Sequence, residues 1–258
     1  MNEVISPDKI SNLNPFSRVK TLLGEENFEK LKQAHIVLVG YGAVGSFAAE
    51  ALVRSGIGHI RIIDADVYEA SNTNRQLGAD STTIGASKVE IAQKRLKTIH
   101  PDLDIECIEA FIDSSNCALV DAPFSDGVRP DILIDAIDTL EAKVSLLAHG
   151  YQKGYRVISS MGAARRMKPE MIRYGDISKT EVCPLAREVR KGLRKRGIDR
   201  GIGCVYSIEP AAEQTHKFLD GTGQTRLHRP VLGSLITITG AFGLRLASAC
   251  LDLIIPHN

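Results

Sequence analysis

The stretch HIVLVGYGAVGSFAAEALVRSG, residues 35–56, decides the fold. It begins with HIVLVG, an apolar run of strand length, the kind buried on both faces of a parallel sheet. It then turns through Gly40-x-Gly42-x-x-Gly45 and continues as a helix that Gly56 closes. Gly40 permits the tight turn, Gly42 lets the backbone approach a phosphate, and Gly45 lets the helix lie close to the sheet. The free N–H groups at such a helix start, together with its dipole, attract an anion. A bare GxGxxG is a weak signal, but directly after a strand and opening a helix it predicts a nucleotide site.

Around this unit, strands and helices alternate. GEENFEKLKQA ahead of it reads as a short helix with Phe28 and Leu31 on one face. After it come strand HIRIID, a polar loop, helix ASKVEIAQKRLKTIHP and strand DIECIEA, then strand DILIDAID, helix TLEAKVSLLAHGYQKG and the strand-like RVISSMGA. Alternation to about residue 160 implies a Rossmann-like α/β fold with a doubly wound, mostly parallel sheet. Residues 1–160 form the nucleotide-binding region. Residues 161–258 form a basic, more irregular C-terminal extension, continuous with it as one domain. The extension holds a basic helix in 181–201, a long polar loop over 210–230 and an apolar segment over 231–255. The apolar segment is about as long as a bilayer span, yet it carries three glycines, Arg245 and Asp252. A mid-span arginine is costly in lipid, so a helix in the core or at a dimer interface is expected. Weak membrane association stays open as the alternative.

The composition is that of an ordinary globular protein, 258 residues with 43% hydrophobic and 24% charged. The start, MNEVISPDKISNLNPF, has no basic residue followed by an apolar run, so no secretory signal is expected. Five cysteines without a CxxC pair fit reduced thiols in a cytoplasm and argue against a four-cysteine zinc site. The net charge of +1 conceals an asymmetry. Residues 1–150 hold 14 Lys/Arg against 22 Asp/Glu, a balance of −8, and residues 151–258 hold 18 against 9, a balance of +9. An acidic nucleotide half and a basic half suit a polyanionic substrate, or two halves that attract each other across a dimer.

The stretch RIIDADVYEASNTNRQ, residues 61–76, separates the nucleotides. Asp64 ends the second strand, at the right distance to bond ribose hydroxyls. Asp66, one step into the loop, is expected to be solvated. A dinucleotide pyrophosphate needs no cations beyond the glycine loop, whereas cleaving a triphosphate calls for added positive charge and donors. Arg75 and Lys88 are candidates for that charge, and Asn72 for an uncharged hydrogen-bonding group. Asp138, at the carboxyl edge of a central strand, is placed to hold Mg²⁺ or to orient the acceptor. The bland readings are a capping Asn72, a solvated Lys88 and a capping Asp138.

In this order and spacing, GYGAVGS, DADVYEASNTNRQ, GASKVE and DAIDT resemble the ubiquitin-activating-enzyme-like adenylating proteins over about residues 16–160. The resemblance implies ATP·Mg²⁺ bound in a Rossmann-type domain and adenylation of a carboxylate. It assigns Asp64 to the ribose, Asn72, Arg75 and Lys88 to the triphosphate, and Asp138 to magnesium or the acceptor. It also implies a homodimer in which Arg18 reaches the partner's ATP site. Members that act on ubiquitin-like tails often carry two CxxC pairs, which this chain lacks. The stretch from ISSMGAARRMKPEM to GCVYSIEP is instead similar to the tRNA threonylcarbamoyladenosine dehydratases. That similarity implies ATP-dependent cyclisation of the modification at position 37 of ANN-decoding tRNAs. Ring closure would use a nucleophile of the substrate, so Cys183 and Cys204 are expected to be ordinary small residues. Arg187, Arg190, Lys191 and Arg194 share a helical face and are expected to contact tRNA phosphates. Arg165 and Arg166 are expected nearer the anticodon loop. Adenylation of a sulfur-carrier tail and nicotinamide oxidoreduction are the alternatives.

Overall fold

The computed structural model describes residues 15–213 and 232–255. The elements in chain order are α1 Ser17–Leu23, α2 Glu25–Gln33, β1 His35–Val39, α3 Gly45–Arg54, β2 His59–Ile63, α4 Lys88–Ile99, β3 Asp104–Ile108 and β4 Ile132–Asp135. They continue with α5 Leu140–Gln152, β5 Arg156–Ser160, β6 Ile172–Asp176, α6 Pro184–Arg194, β7 Gly203–Ser207 and α7 Ile236–Ile254. The strands make one seven-stranded sheet in the order β3-β2-β1-β4-β5-β7-β6, parallel except for the β6–β7 pair.

The central strands are mostly apolar because both faces of the sheet are covered. All five residues of β1 and all four of β4 are buried. On one face Ile36, Leu38, Ile60, Ile62, Ile134 and Ile158 pack with Leu52 of α3, Leu96 of α4 and Phe242 of α7. On the other, Val37, Val39, Leu133 and Val157 pack with Leu146 and Leu147 of α5 and Val189 and Leu193 of α6. Truncating one such fully buried side chain to Ala costs about 2–5 kcal/mol.

Successive strands are added to one side of β1 as far as β3 and then to its other side from β4, so the sheet has its switch point between β1 and β4. Ligands bind at the carboxyl ends of the strands flanking such a point. The Gly40 loop and the Asp135–Asp138 segment both emerge there.

Three elements differ from what the sequence leads one to expect. A helix, α1, lies where only a polar lead is expected. The two strands β6 and β7 lie within the extension where the pattern loosens, and β7 joins β5 in the same sheet. The 210–230 loop falls outside the described residues beyond Glu213.

Helix α7, with 19 residues and mean hydropathy 1.3, is long and apolar enough to cross a membrane. Here half of it is buried, with Ile238, Phe242, Leu246, Ala249 and Cys250 in the core against α3. The crossing is close: a Cβ on Gly243 would sit 2.5 Å from the Val44 carbonyl oxygen and 2.6 Å from Phe47 Cβ.

Candidate active site

The glycine loop is shaped by contacts that leave no room for side chains. Gly40 has φ +95°, and a Cβ there would lie 2.8 Å from the backbone of Ala136 after β4. A Cβ on Gly45 would lie 1.8 Å from the Gly40 carbonyl oxygen, so this position brings helix and loop together. A Cβ on Gly42 would meet only Gln76 Nε2, at 3.9 Å, which leaves the approach over this residue open. The Tyr41 N–H donates to Asp64 Oδ2 at 2.6 Å. The N–H groups of Gly42, Ala43 and Val44 at the mouth of α3 have no acceptor among the described residues. Three free donors at a helix N-terminus suit a phosphate.

Asp64 accepts a second bond, from the Asp66 N–H at 2.9 Å. Burial pushes its carboxyl up from the ordinary range, while nearby Lys88 pulls it down. Lys88 opens α4, is 5% exposed, and directs Nζ to Asp66 Oδ2 at 2.8 Å and Asp64 Oδ1 at 4.0 Å. Its burial removes the bland reading of Lys88 as a solvated cation, and Asp66, 65% exposed as its loop position leads one to expect, is also its ion-pair partner. The pairing joins residues 22 apart, and no local pattern announces it.

The NTNRQ loop folds over the same edge. Asn72 is buried and closes the Ala70–Asn72 turn, its Oδ1 accepting the Glu69 N–H at 3.2 Å, so its capping reading holds. Arg75 lies on its own loop, donating Nη1 to Ser71 O at 2.7 Å and to Asn74 Oδ1 at 2.8 Å. Asn74 donates to Ser234 O at 3.2 Å, linking this loop to the segment before α7. Gln76 is buried, its Oε1 without a partner among the described residues and its amide facing Gly42, a placement that sequence reasoning missed.

Asp138 is exposed, and it does not cap α5, whose N-cap is Thr139 without a side-chain bond. A buried network holds its segment. Lys143 and Asp135, both 0% exposed, pair at 2.5 Å. Lys143 also donates to Ser160 O at 2.9 Å, Ser159 donates to Asp135 at 2.6 Å, and the Ile137 N–H bonds Asp135 Oδ1 at 3.1 Å. The run DAIDTLEAK carried the signal, Asp135 and Lys143 being eight apart across a helix start.

Arg18 is not brought to this edge of its own chain. It is exposed on α1, two residues from Phe16, whose ring meets His100 edge-on at 4.9 Å. His100 follows the far end of α4, about 18 Å from Lys88 at 1.5 Å per residue.

The basic residues divide. Arg187, Lys191 and Arg194 are exposed on α6, the first two within 3.3 Å and 3.0 Å of Glu188. Arg190 is turned inward, its Nη1 donating to the Thr180 carbonyl at 2.5 Å and to the Thr180 hydroxyl. Arg166 is 3% exposed, its Nε without a partner among the described residues. Arg165, at φ +60°, donates Nε to Ala212 O at 2.8 Å. As placed, Arg166 offers no surface to a polyanion, and Arg190 is committed to the 177–180 turn. Cys183 and Cys204 are buried in the core, and burial pushes the Cys204 thiol up.

Residues 16–258 match the ThiF family. The chain is 39% identical over 197 residues to tRNA threonylcarbamoyladenosine dehydratase of Bacillus subtilis, covering 76% of each. It is 34% identical over 252 residues to the protein of that name from Haemophilus influenzae, covering 94% of each. It also superposes on the crystal structure of Escherichia coli tRNA N6-threonylcarbamoyladenosine dehydratase in complex with ATP. That match has a TM-score of 0.81 at 30% identity, over 98% of this chain and 97% of the other.

Proposed function

The chain belongs to the ThiF family, and we propose that it catalyses ATP-dependent cyclisation of N6-threonylcarbamoyladenosine at position 37 of tRNA. The observation that carries the reading is the paired Lys88, buried beside Asp64 and next to a glycine loop with free N–H donors. That arrangement suits a polyphosphate joined to a ribose.

The carboxylate of the modified nucleoside attacks the α-phosphorus of ATP and pyrophosphate leaves. A nucleophile of the same substrate then attacks the acyl carbon and AMP leaves. The loop N–H groups, Lys88 and Arg75 stabilise charge on the phosphates, and Asp64 holds the ribose. Arg75 leaves its loop carbonyl to do so. Holding the acyl-adenylate against its own internal nucleophile is an orientation task. No enzyme thiol is required, in keeping with buried Cys183 and Cys204.

The exposed carboxylate of Asp138 has the hard oxygen donors that Mg²⁺ prefers alongside phosphate oxygens. When bound, the ion neutralises phosphate charge. Arg18 serves the site of a second copy in a homodimer, which its distance from its own site supports. Arg187, Lys191 and Arg194 contact phosphates of an ANN-decoding tRNA. The reading places the protein in the cytoplasm with its tRNA substrate.

The test is incubation of threonylcarbamoyladenosine-containing tRNA with ATP, followed by digestion and mass spectrometry. Loss of one water from the nucleoside, with one AMP and one pyrophosphate formed, is expected. ATP binding without that loss would overturn the substrate assignment.

A further inference from the structure

We propose that the amino-terminal edge of the sheet, opposite the nucleotide edge, binds one divalent transition metal ion of the zinc class through His35, His59 and Asp126. One ring nitrogen of each histidine and one carboxylate oxygen of Asp126 lie within 4.8 Å of one another. Imidazole and carboxylate are donors that zinc accepts together, whereas magnesium and calcium prefer oxygen alone.

The register of the sheet builds the cluster. His35 begins β1 and His59 begins β2, and they are direct neighbours in that parallel pair. Their rings stack at 4.0 Å, and Phe124 meets His35 edge-on at 5.0 Å. Three carboxylates converge on the two rings. Asp126 Oδ2 is 2.9 Å from His35 Nε2, Asp104 Oδ2 is 3.1 Å from His59 Nδ1, and Asp131 Oδ2 is 3.9 Å from His35 Nδ1. A carboxylate on the remaining ring nitrogen is how proteins orient a ligating histidine, and Asp104 stands to His59 in that relation.

The His35 nitrogen that faces Asp126 is Nε2, and burial fixes the ring, only 4% of the residue being exposed. A cavity of about 540 Å³, lined by Glu29, His100, Asp102, Asp104 and also Lys32, opens beside His59 and gives an ion a way in. The setting also favours a cation. Helices α2, α3 and α4 run against their strands, so their negative carboxyl ends gather at this edge.

A tetrahedral ion with bonds of about 2.0–2.2 Å holds its ligands roughly 3.4 Å apart, so a cluster whose ligand atoms lie within 4.8 Å of one another must contract by up to about 1.4 Å. Asp126 at 39% exposure and His59 at 24% have the freedom to move. An ion lies in the plane of each ligating ring, so rings only 18° from parallel must splay. Binding therefore breaks the stack.

The experiment titrates untagged, metal-stripped full-length protein with cobalt(II) and with zinc by visible absorption and calorimetry. One equivalent of cobalt is expected to give the intense visible bands of a four-coordinate nitrogen–oxygen site, displaced by zinc and not by magnesium. Asp126→Asn and His59→Gln are each expected to weaken zinc binding by about tenfold or more. Both should leave ATP–pyrophosphate exchange unchanged, which also shows that the variants fold. No saturable uptake by the wild type, a thiolate–cobalt band, or unchanged affinity in both variants would overturn the proposal.

Discussion

Replacing Lys88 with Ala separates its catalytic role from its structural one, because the two differ in size. Its ammonium is buried, with Asp66 at 2.8 Å and Asp64 at 4.0 Å. Breaking a fully buried pair costs about 3–5 kcal/mol, and an exposed pair contributes about 0–1. Asp66 is 65% exposed and Asp64 only 10%, so an intermediate loss of about 2 kcal/mol is expected. In a chain of this length that lowers Tm by about 4–8 °C, and the variant remains folded. The loss of one preformed donor to a developing phosphate charge lowers kcat by about 10²–10³. Adenylation, followed as pyrophosphate release, should therefore nearly stop while the circular dichroism spectrum persists.

The stability loss should depend on pH. Burial raises the folded Asp64 carboxyl above its ordinary value of 3.8, so its burden on stability grows as pH rises and is absent below that value. Lys88 lowers that carboxyl, and without it the burden is larger. The Tm difference between variant and wild type should be widest near neutral pH and narrow as pH falls toward 3.8. A variant with near-native turnover would refute the triphosphate role. A Tm difference that did not change with pH would refute the coupling to Asp64.

Other outcomes follow from the same geometry. Asp64→Asn should raise the KM for ATP by about tenfold with little change in kcat, since ribose contacts persist from ground to transition state. A lowered kcat at unchanged KM would remove it from the ribose. Mixing Arg18→Ala protein with Lys88→Ala protein should restore activity, because each mixed dimer holds one intact site. Subunits shown to exchange without recovery would place Arg18 outside the chemistry. Glu substitutions at Arg187, Lys191 and Arg194 should weaken tRNA binding, and the salt slope should fall by about 0.7–0.9 for every phosphate no longer neutralised. ATP affinity should not change. Unaltered tRNA affinity across a salt series would make α6 a solvated face.

Local signals in the amino-acid sequence were enough for the nucleotide half of the fold apart from α1. Gly40, Gly42 and Gly45 are legible because each answers a steric demand set by a few neighbours, and the apolar runs of β1, β2 and β4 because both sheet faces are covered. The helices α3, α4 and α5 follow from periodicity, and Asp64 and Asp138 from their places at strand ends.

Whatever depends on register and burial was settled only when the chain folded. β6 went unseen because an edge strand of intermediate burial carries no alternation, and β7 because five residues among basic coil resemble any short apolar run. The Lys88–Asp66 pair joins residues 22 apart, and the inward turn of Arg190 depends on how the 177–180 turn folds against its helix. The His35–His59 stack exists because two strands pair in one register, and a one-residue slip would send the two rings to opposite faces. A side chain's type is written in the sequence, but its electrostatic partner is set by which backbones the sheet lays side by side.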